Sequence, residues 1–392
     1  MSTTPPGRRA ASLVALVILT IFGGTGGART ARGADARPTW NPATTWALLV
    51  GVLEWKNPGL GSFPQAGRVD RVLEKTLLAR GVPRTQLTFL EDAAATLEGC
   101  RSALVKTADA VPEGGTLLVY YAGHGVRSKG RTWFMPYDAD TSDPGKTAWA
   151  VDELADALGT RTKGRTVLLF ADCCHSGALD AVVTRLDAAG TAAAACLSSA
   201  SVASQSTGRW TFTEALVSIF GGGGAADTDE DGFVDFAEAD GLVHREMRYR
   251  EEQWTKGART AAFPSALRLS TVDPAHPRAA RVAGPWQIGD FGQIEWRGSW
   301  WPGRVLAVEP AKLRVHYVGY GDRGDQWVEA TRFRAVPALP FDADANVRVE
   351  WKGAWYPAKV LRVDVEFALV HYDDFDASSD EWVPASRLRA KK

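Results

Sequence analysis

Cysteine is scarce, with four residues in a chain of 392. That is too few for a disulfide framework to hold a protein of this length. A charge surplus is also missing. Forty-five Lys and Arg face 46 Asp and Glu, a formal net charge of -1. Nothing in that balance draws the chain to nucleic acid. Long apolar runs are absent too. The longest candidate, residues 10–22, falls short of the roughly 20 residues that span a bilayer. What remains is the composition of a folded globular protein, 45% hydrophobic and 23% charged. At about 150 residues per domain, two to three domains are expected. Tryptophan is abundant, and 8 of the 15 lie after residue 285, which marks a separate C-terminal unit.

Arg8 and Arg9 precede the apolar run, and small residues follow as far as Ala36. This order predicts a secretory signal peptide or N-terminal anchor over residues 1–36. Cleavage near Ala28, Ala34 or Ala36 fits the small-residue rule. The mature chain is expected to be secreted, periplasmic or held at the cell envelope. A membrane is a partner only if the segment stays uncleaved.

Residues 40–275 read as an α/β domain. Continuous apolar runs at 46–52, 116–121, 166–171 and 193–199 have the character of buried parallel strands. Segments 69–80, 152–158 and 237–248 have helical spacing. Alternating strands and helices predict a mostly parallel sheet flanked by helices. Sites in such sheets lie beyond the carboxyl ends of the strands. Two polar clusters stand there, Ala122-Gly123-His124-Gly125 and Asp172-Cys173-Cys174-His175-Ser176-Gly177. A thiolate nucleophile needs a nearby base or cation. Small residues beside it let a substrate backbone approach and let N–H groups face an oxyanion. From spacing alone, a buried core thiol and an ordinary loop histidine explain the two clusters equally well.

Taken together, Tyr120-Tyr121-Ala122-Gly123-His124-Gly125 and the Asp172–Gly177 cluster resemble the two signature strand ends of caspase-like peptidases, closest to the metacaspase and bacterial branch. The resemblance extends over about 45–250, including Leu197-Ser198-Ser199-Ala200 and Phe212-Thr213-Glu214-Ala215-Leu216. It implies His124 as general base and Cys174 as nucleophile, with Gly125 and the Cys174 N–H as the oxyanion hole. Cys173 is a second thiol at the same turn, and Cys174 is the one expected to react. The resemblance also implies a substrate pocket for Arg or Lys built on Asp70 and Asp172. Caspases proper bind aspartate with arginines, and the equivalent loop, Phe63-Pro64-Gln65, carries none, although Arg68 is near. No organic cofactor is expected.

Residues 227–238 match the twelve-residue EF-hand loop. Asp227, Asp229, Asp231, Asp235 and Glu238 supply side-chain oxygens, Phe233 a carbonyl, and Gly232 the sharp turn. The predicted ligand is Ca2+, in a single loop with no partner hand. A glycine run at 221–224 argues against a long entering helix.

After an expected linker at 276–290, the chain overlays on itself at a shift of 55 residues. Glu295-Trp296-Arg297-Gly298 matches Glu350-Trp351-Lys352-Gly353, and Val315-His316-Tyr317 matches Val370-His371-Tyr372. Short alternating segments broken by Gly, Pro and Asp predict two five-stranded barrels, at 291–337 and 345–390. They resemble Tudor and SH3-like barrels, including the agenet relatives. That resemblance implies aromatic cages for a cation, from Trp296, Trp301, Tyr317 and Tyr320, and from Trp351, Tyr356, Tyr372 and Phe375. Filling a small barrel core is the alternative role for these rings. Lys+Arg and Asp+Glu both count 15 over 291–392, so nucleic acid is not expected. A peptide or protein ligand is. The combined expectation is an exported cysteine endopeptidase with a Ca2+ loop and two binding modules. The alternative is an inactive scaffold whose tandem barrels do the work. Self-processing is compatible with the first reading.

Overall fold

The structure is a computed structural model that describes residues 37–391, except 202–207, 252, 277–285, 319, 321, 337–338, 352, 365–366 and 376–378. The expected signal peptide and most of the expected linker lie outside the described residues. The chain lays down β1 (Thr45–Gly51), α1 (Asp70–Ala79), β2 (Leu87–Glu91), α2 (Leu97–Ala110) and β3 (Thr116–Ala122). A small antiparallel sheet follows, β4 (Gly125–Ser128), β5 (Arg131–Phe134) and β6 (Trp149–Ala150), with the short α3 (Pro144–Thr147) before β6. Then come α4 (Glu153–Leu158), β7 (Thr166–Asp172), α5 (Leu179–Ala189), β8 (Ala193–Ser198) and α6 (Thr211–Gly221). The domain closes with β9 (Phe233–Asp235), α7 (Phe236–Glu251), β10 (Ala258–Arg259) and β11 (Arg268–Thr271).

The main sheet has the order β2-β1-β3-β7-β8-β10. Its strands are parallel except β10, which runs antiparallel to β8. The central strands are buried on both faces, which is why they read as unbroken apolar runs. Alternate residues feed two cores. Leu48, Val50, Leu117, Val119, Val167 and Leu169 pack with Leu104, Leu154 and Leu186 on one side. Ala47, Leu49, Leu118, Tyr120, Leu168 and Phe170 pack with Leu73, Leu216 and Val243 on the other. The Thr96 hydroxyl accepts from Gly99 N–H and starts α2. Gly222, at φ 79°, ends α6. The expected parallel sheet with helices on both faces is therefore present. Weak periodicity hid β2, α2, α5 and the two-residue edge strand β10.

The C-terminal region is two curled antiparallel sheets. The first contains β12 (Phe291–Trp296), β13 (Ser299–Val308), β14 (Lys312–Tyr317), β15 (Gln326–Glu329) and β16 (Phe333–Arg334). The second contains β17 (Asn346–Trp351), β18 (Ala354–Asp364), β19 (Phe367–Tyr372), β20 (Glu381–Pro384) and β21 (Leu388–Ala390). Their strand orders, β15-β14-β13-β12-β16 and β20-β19-β18-β17-β21, are the same arrangement repeated. The register repeats too. Ile294 faces Trp301 as Val349 faces Tyr356, and the irregularity between Val305 and Ala307 recurs between Val360 and Arg362.

Helix α7 and the segment after it hold both barrels. Tyr249 stacks on Phe291 with ring centroids 4.1 Å apart. Arg304 of β13 reaches Glu246 at 2.6 Å. Trp254 packs edge-on against Phe367 at 4.5 Å and stacks with Trp382 at 5.8 Å. Arg248 lies over Phe367, 4.7 Å from the ring centre. Among the described residues, no helix is long and apolar enough to cross a membrane. Tyr249→Ala deletes a buried ring at the first barrel contact. It is expected to cost about 3 kcal/mol, read by denaturant unfolding, and to speed amide exchange in β12.

Candidate active site

The two polar clusters meet because β3 and β7 are adjacent and level. Ala122 is paired with Asp172. His124 and Cys174 each follow two residues later, so both chains leave the sheet at the same height. On the other side of β3, Gly51 of β1 is paired with Ala122. The chain moves outward from β1 to β2 and returns on the opposite side as β3. The site therefore sits at a topological switch point, where such sheets bind their ligands.

His124 is held by the loop after β1. Its Nε2 lies 2.8 Å from the Gly61 carbonyl. A carbonyl only accepts, so in the neutral ring Nε2 carries the hydrogen and Nδ1 keeps its lone pair. Trp55 and Phe63 flank the ring at centroid distances of 4.4 and 4.6 Å. Burial lowers the pKa of His124 from its usual value, partly opposed by the Gly61 hydrogen bond. Burial thus favours the neutral ring. The Tyr121 hydroxyl accepts from Met135 N–H at 3.0 Å and lies 2.9 Å from the His124 carbonyl, to which it donates.

A buried ion network fixes the same loop. Arg68 pairs with Asp70 at 2.6 Å and Asp92 at 2.5 Å, and donates to the Gly51 carbonyl at 3.0 Å. Asp92 in turn accepts from Leu53 N–H at 2.7 Å. Asp70 was expected in the substrate pocket. It is instead fully buried beneath Gly51, its charge taken up by Arg68, and it does not line the cleft. Arg68 is equally committed, so it does not offer its guanidinium to an acidic substrate.

Cys174 is half-buried and lines a cleft of about 900 Å³ together with Gly123, Ala122 and Asp172. Cys173 points into the core, and burial pushes its thiol well above the usual range. Cys100 and Cys196 are buried as well, and burial pushes Cys100 up to about 12. A Cβ on Gly125 would stand 1.9 Å from the Cys174 carbonyl oxygen. Only glycine lets β4 start this close to the cysteine turn. His175, the next residue, has φ 59°, a left-handed conformation that costs a non-glycine residue about 1 kcal/mol or more.

Asp172 is the acid at the cleft floor. Thr213 donates to it at 2.6 Å, and the Tyr120 hydroxyl stands behind Thr213 at 2.7 Å. Burial pushes its carboxyl up to about 7, against the pull of the Thr213 and Ser199 hydrogen bonds. Glu214 and Glu251 also line the cleft, as do Arg209, Trp210 and Arg250. Arg250 is paired with Glu214 at 2.8 Å. Of these, Glu214 alone stood in a segment that carried the resemblance, and none was given a role from the sequence. Nor were Gly61, Trp55 or Phe63, because a positioning carbonyl and two loop aromatics carry no motif.

The acidic loop closes on itself. Oxygens of Asp227, Asp229 and Asp231 lie within 4.8 Å of one another. Glu238 accepts from Thr228 N–H at 2.6 Å and from Asp235 N–H at 3.0 Å, and Gly232 turns at φ 87°. Asp231 is also paired with Arg37 at 2.5 Å and Arg268 at 3.3 Å. The β9 strand that carries Phe233 and Asp235 pairs with β11, not with a second loop of this kind. The all-oxygen donor set fits a hard divalent cation. In the barrels, both sets of rings converge. Trp301 stands at 67° to Trp296 and 81° to Tyr320, with centroids 6.4 and 6.0 Å away, and Tyr317 meets Tyr320 at 79°. Tyr356 meets Trp351, Tyr372 and Phe375 at 5.9–6.2 Å. Trp296, Tyr320, Trp351 and Phe375 are exposed, whereas Tyr317 and Tyr372 are buried at the base.

A family model described as Caspase domain matches residues 66–261, half of the chain. Another, described as Agenet domain, matches 346–392, the second barrel. The first barrel is tied to it by the 55-residue repeat. Two solved structures are similar. A Geobacter sulfurreducens protein is 18% identical, with 58% of this chain and 99% of that chain covered at a TM-score of 0.43. Caspase-1 from Spodoptera frugiperda is 14% identical, with 62% and 96% covered, also at 0.43. No curated protein matches the chain.

Asp172 holds its proton more tightly when folded than unfolded, where an aspartate titrates near 4. Its contribution to stability is complete below pH 4 and is lost as pH rises through about 7. Asp172→Asn is therefore expected to melt several degrees above wild type at pH 8, with the two curves converging below pH 4.

Proposed function

The chain belongs to the caspase domain family, and from that premise we propose that it is a cysteine endopeptidase working through a His124–Cys174 dyad. The observation that carries this is the common height at which β3 and β7 deliver a lone-pair-bearing histidine and a cleft-lining thiol. Nδ1 of His124 takes the thiol proton. The Cys174 sulfur attacks the scissile carbonyl, and the oxyanion is met by the N–H groups of Gly125 and Cys174. The imidazolium gives its proton to the departing amine as the C–N bond breaks, leaving a thioester. Water, deprotonated by His124, then hydrolyses the thioester and restores the thiol.

The cleaved residue is Arg or Lys. Asp172 supports this as the buried acid of the cleft floor, with Glu214 and Glu251 nearby. Burial makes a charge-assisted pair with a guanidinium stronger than it is in water. The site is tested with matched Arg-, Lys- and Asp-terminated fluorogenic peptides. Basic reporters are expected to turn over, and Cys174→Ala to reduce the rate by roughly ten-thousandfold or more. Turnover of the Asp reporter alone would overturn the pocket, with exposed Arg209 as its replacement. No turnover in the reduced, folded protein would overturn the peptidase.

The acidic loop is proposed to bind Ca2+ through Asp227, Asp229, Asp231, Asp235, Glu238 and the Phe233 carbonyl. Binding releases Asp231 from its arginine partners and steadies the start of α7. Ca2+ at a hundredfold excess over its dissociation constant is expected to add about 2.7 kcal/mol of stability. The check is a melting shift that chelator reverses and Glu238→Gln abolishes. The tandem barrels are proposed to engage a peptide or protein ligand, each with its ring of aromatics.

A further inference from the structure

The cleft is not made by the peptidase domain alone. Ile288, in the segment that leads into the first barrel and is bonded to it through Gly289 N–H and the Val305 carbonyl, lines the same cavity as Cys174, together with Arg304, Val305, Leu306, His316 and Asp325 of the barrel itself. The barrel is fixed in this position by the Arg304–Glu246 pair and the Tyr249–Phe291 stack. His316 and Asp325, joined at 2.7 Å and nearly buried, brace the wall from within the barrel.

We infer that the first barrel is one wall of the substrate cleft, and that Ile288 and Leu306 form an apolar subsite for a bulky aliphatic or aromatic side chain of the bound peptide. The inference rests on the peptidase reading and adds to it a specificity element outside the peptidase domain. Two observations carry it. Ile288 is 52% exposed although it is a large aliphatic residue, and it lines the cleft. The internal repeat supplies a comparison. Gly289 N–H donates to the Val305 carbonyl at 2.8 Å, and Asp344 N–H donates to the Val360 carbonyl at 2.8 Å. The shift of 55 therefore holds in three dimensions at this turn. It places Ala343 where the first barrel has Ile288, and Leu361 where it has Leu306. The copy that faces Cys174 carries the larger apolar pair. Leu361, in the copy that does not line the cleft, is simply an exposed leucine. Acids at the cleft floor and aliphatics on the barrel wall together ask for a peptide with one basic and one apolar side chain.

The experiment uses the full chain and peptides with arginine at the cleaved position. Leucine or serine is placed in turn at each of the four neighbouring positions on either side. Wild type is expected to favour leucine over serine at one position by roughly tenfold in kcat/KM. Ile288→Ser with Leu306→Ser is expected to bring that ratio near one, whereas Leu361→Ser retains it. A ratio near one in wild type, or one that survives the double substitution, overturns the subsite. If wild type hydrolyses none of the peptides, the peptidase reading fails. The subsite is then judged by the same leucine-to-serine ratio in fluorescence-anisotropy binding to Cys174→Ala and to Cys174→Ala with Ile288→Ser and Leu306→Ser. Equal binding of the two peptides overturns it there as well.

Discussion

The register between β3 and β7 is the constraint on which the site depends. Parallel strands exchange evenly spaced hydrogen bonds, and neighbours lie about 4.8 Å apart. With Ala122 opposite Asp172, two short turns bring His124 and Cys174 to one edge without any direct contact in sequence. A slip of one residue would turn every side chain of β7 to the other face of the sheet. Both faces are packed with large apolar groups, so the cores enforce the register and the register positions the chemistry.

A second layer of order comes from buried charge. Arg68, Asp70 and Asp92 sit almost wholly out of water, and taking Arg68 away would leave two buried carboxylates without their cation at a cost of about 3–5 kcal/mol. The network ties the Gly51 carbonyl, the Leu53 N–H and the start of α1 together. The segment it anchors supplies the Gly61 carbonyl and the two rings that hold His124. Asp172 follows the opposite strategy, since burial, with no arginine partner among the described residues, pushes its carboxyl up to about 7. Its desolvation penalises the charged carboxylate, and the proposed basic substrate residue would offset that penalty.

Helix α7 joins parts that look independent along the chain. Its first residues close the acidic loop, with Glu238 bonded back to Thr228. Its last two turns bring Arg250 and Glu251 to the cleft, and Tyr249 and Glu246 to the first barrel. The segment beyond it carries Trp254 to the second barrel. Order in the loop, the cleft wall and the barrels therefore shares one rigid element.

Much of this was legible in the residues alone. Apolar runs marked four of the parallel strands, because strands buried on both faces leave no polar alternation. The two polar strand ends marked two segments that the sheet does bring level with each other, the spacing of carboxylates marked a loop whose oxygens do gather, and self-similarity marked two barrels whose rings do converge. Long-range pairing was not legible. Asp70 has the same local sequence whether it faces a substrate or an arginine, and only the fold brings Asp92 and Gly51 around Arg68 and turns the acid inward. Nor does any local pattern announce that a barrel starting more than a hundred residues after Cys174 forms a wall of its cleft. Local spacing determines which groups can act, since secondary structure and ligand geometry are short-range. Which groups share one desolvated space is decided by packing between distant segments, and that is a property of the tertiary structure.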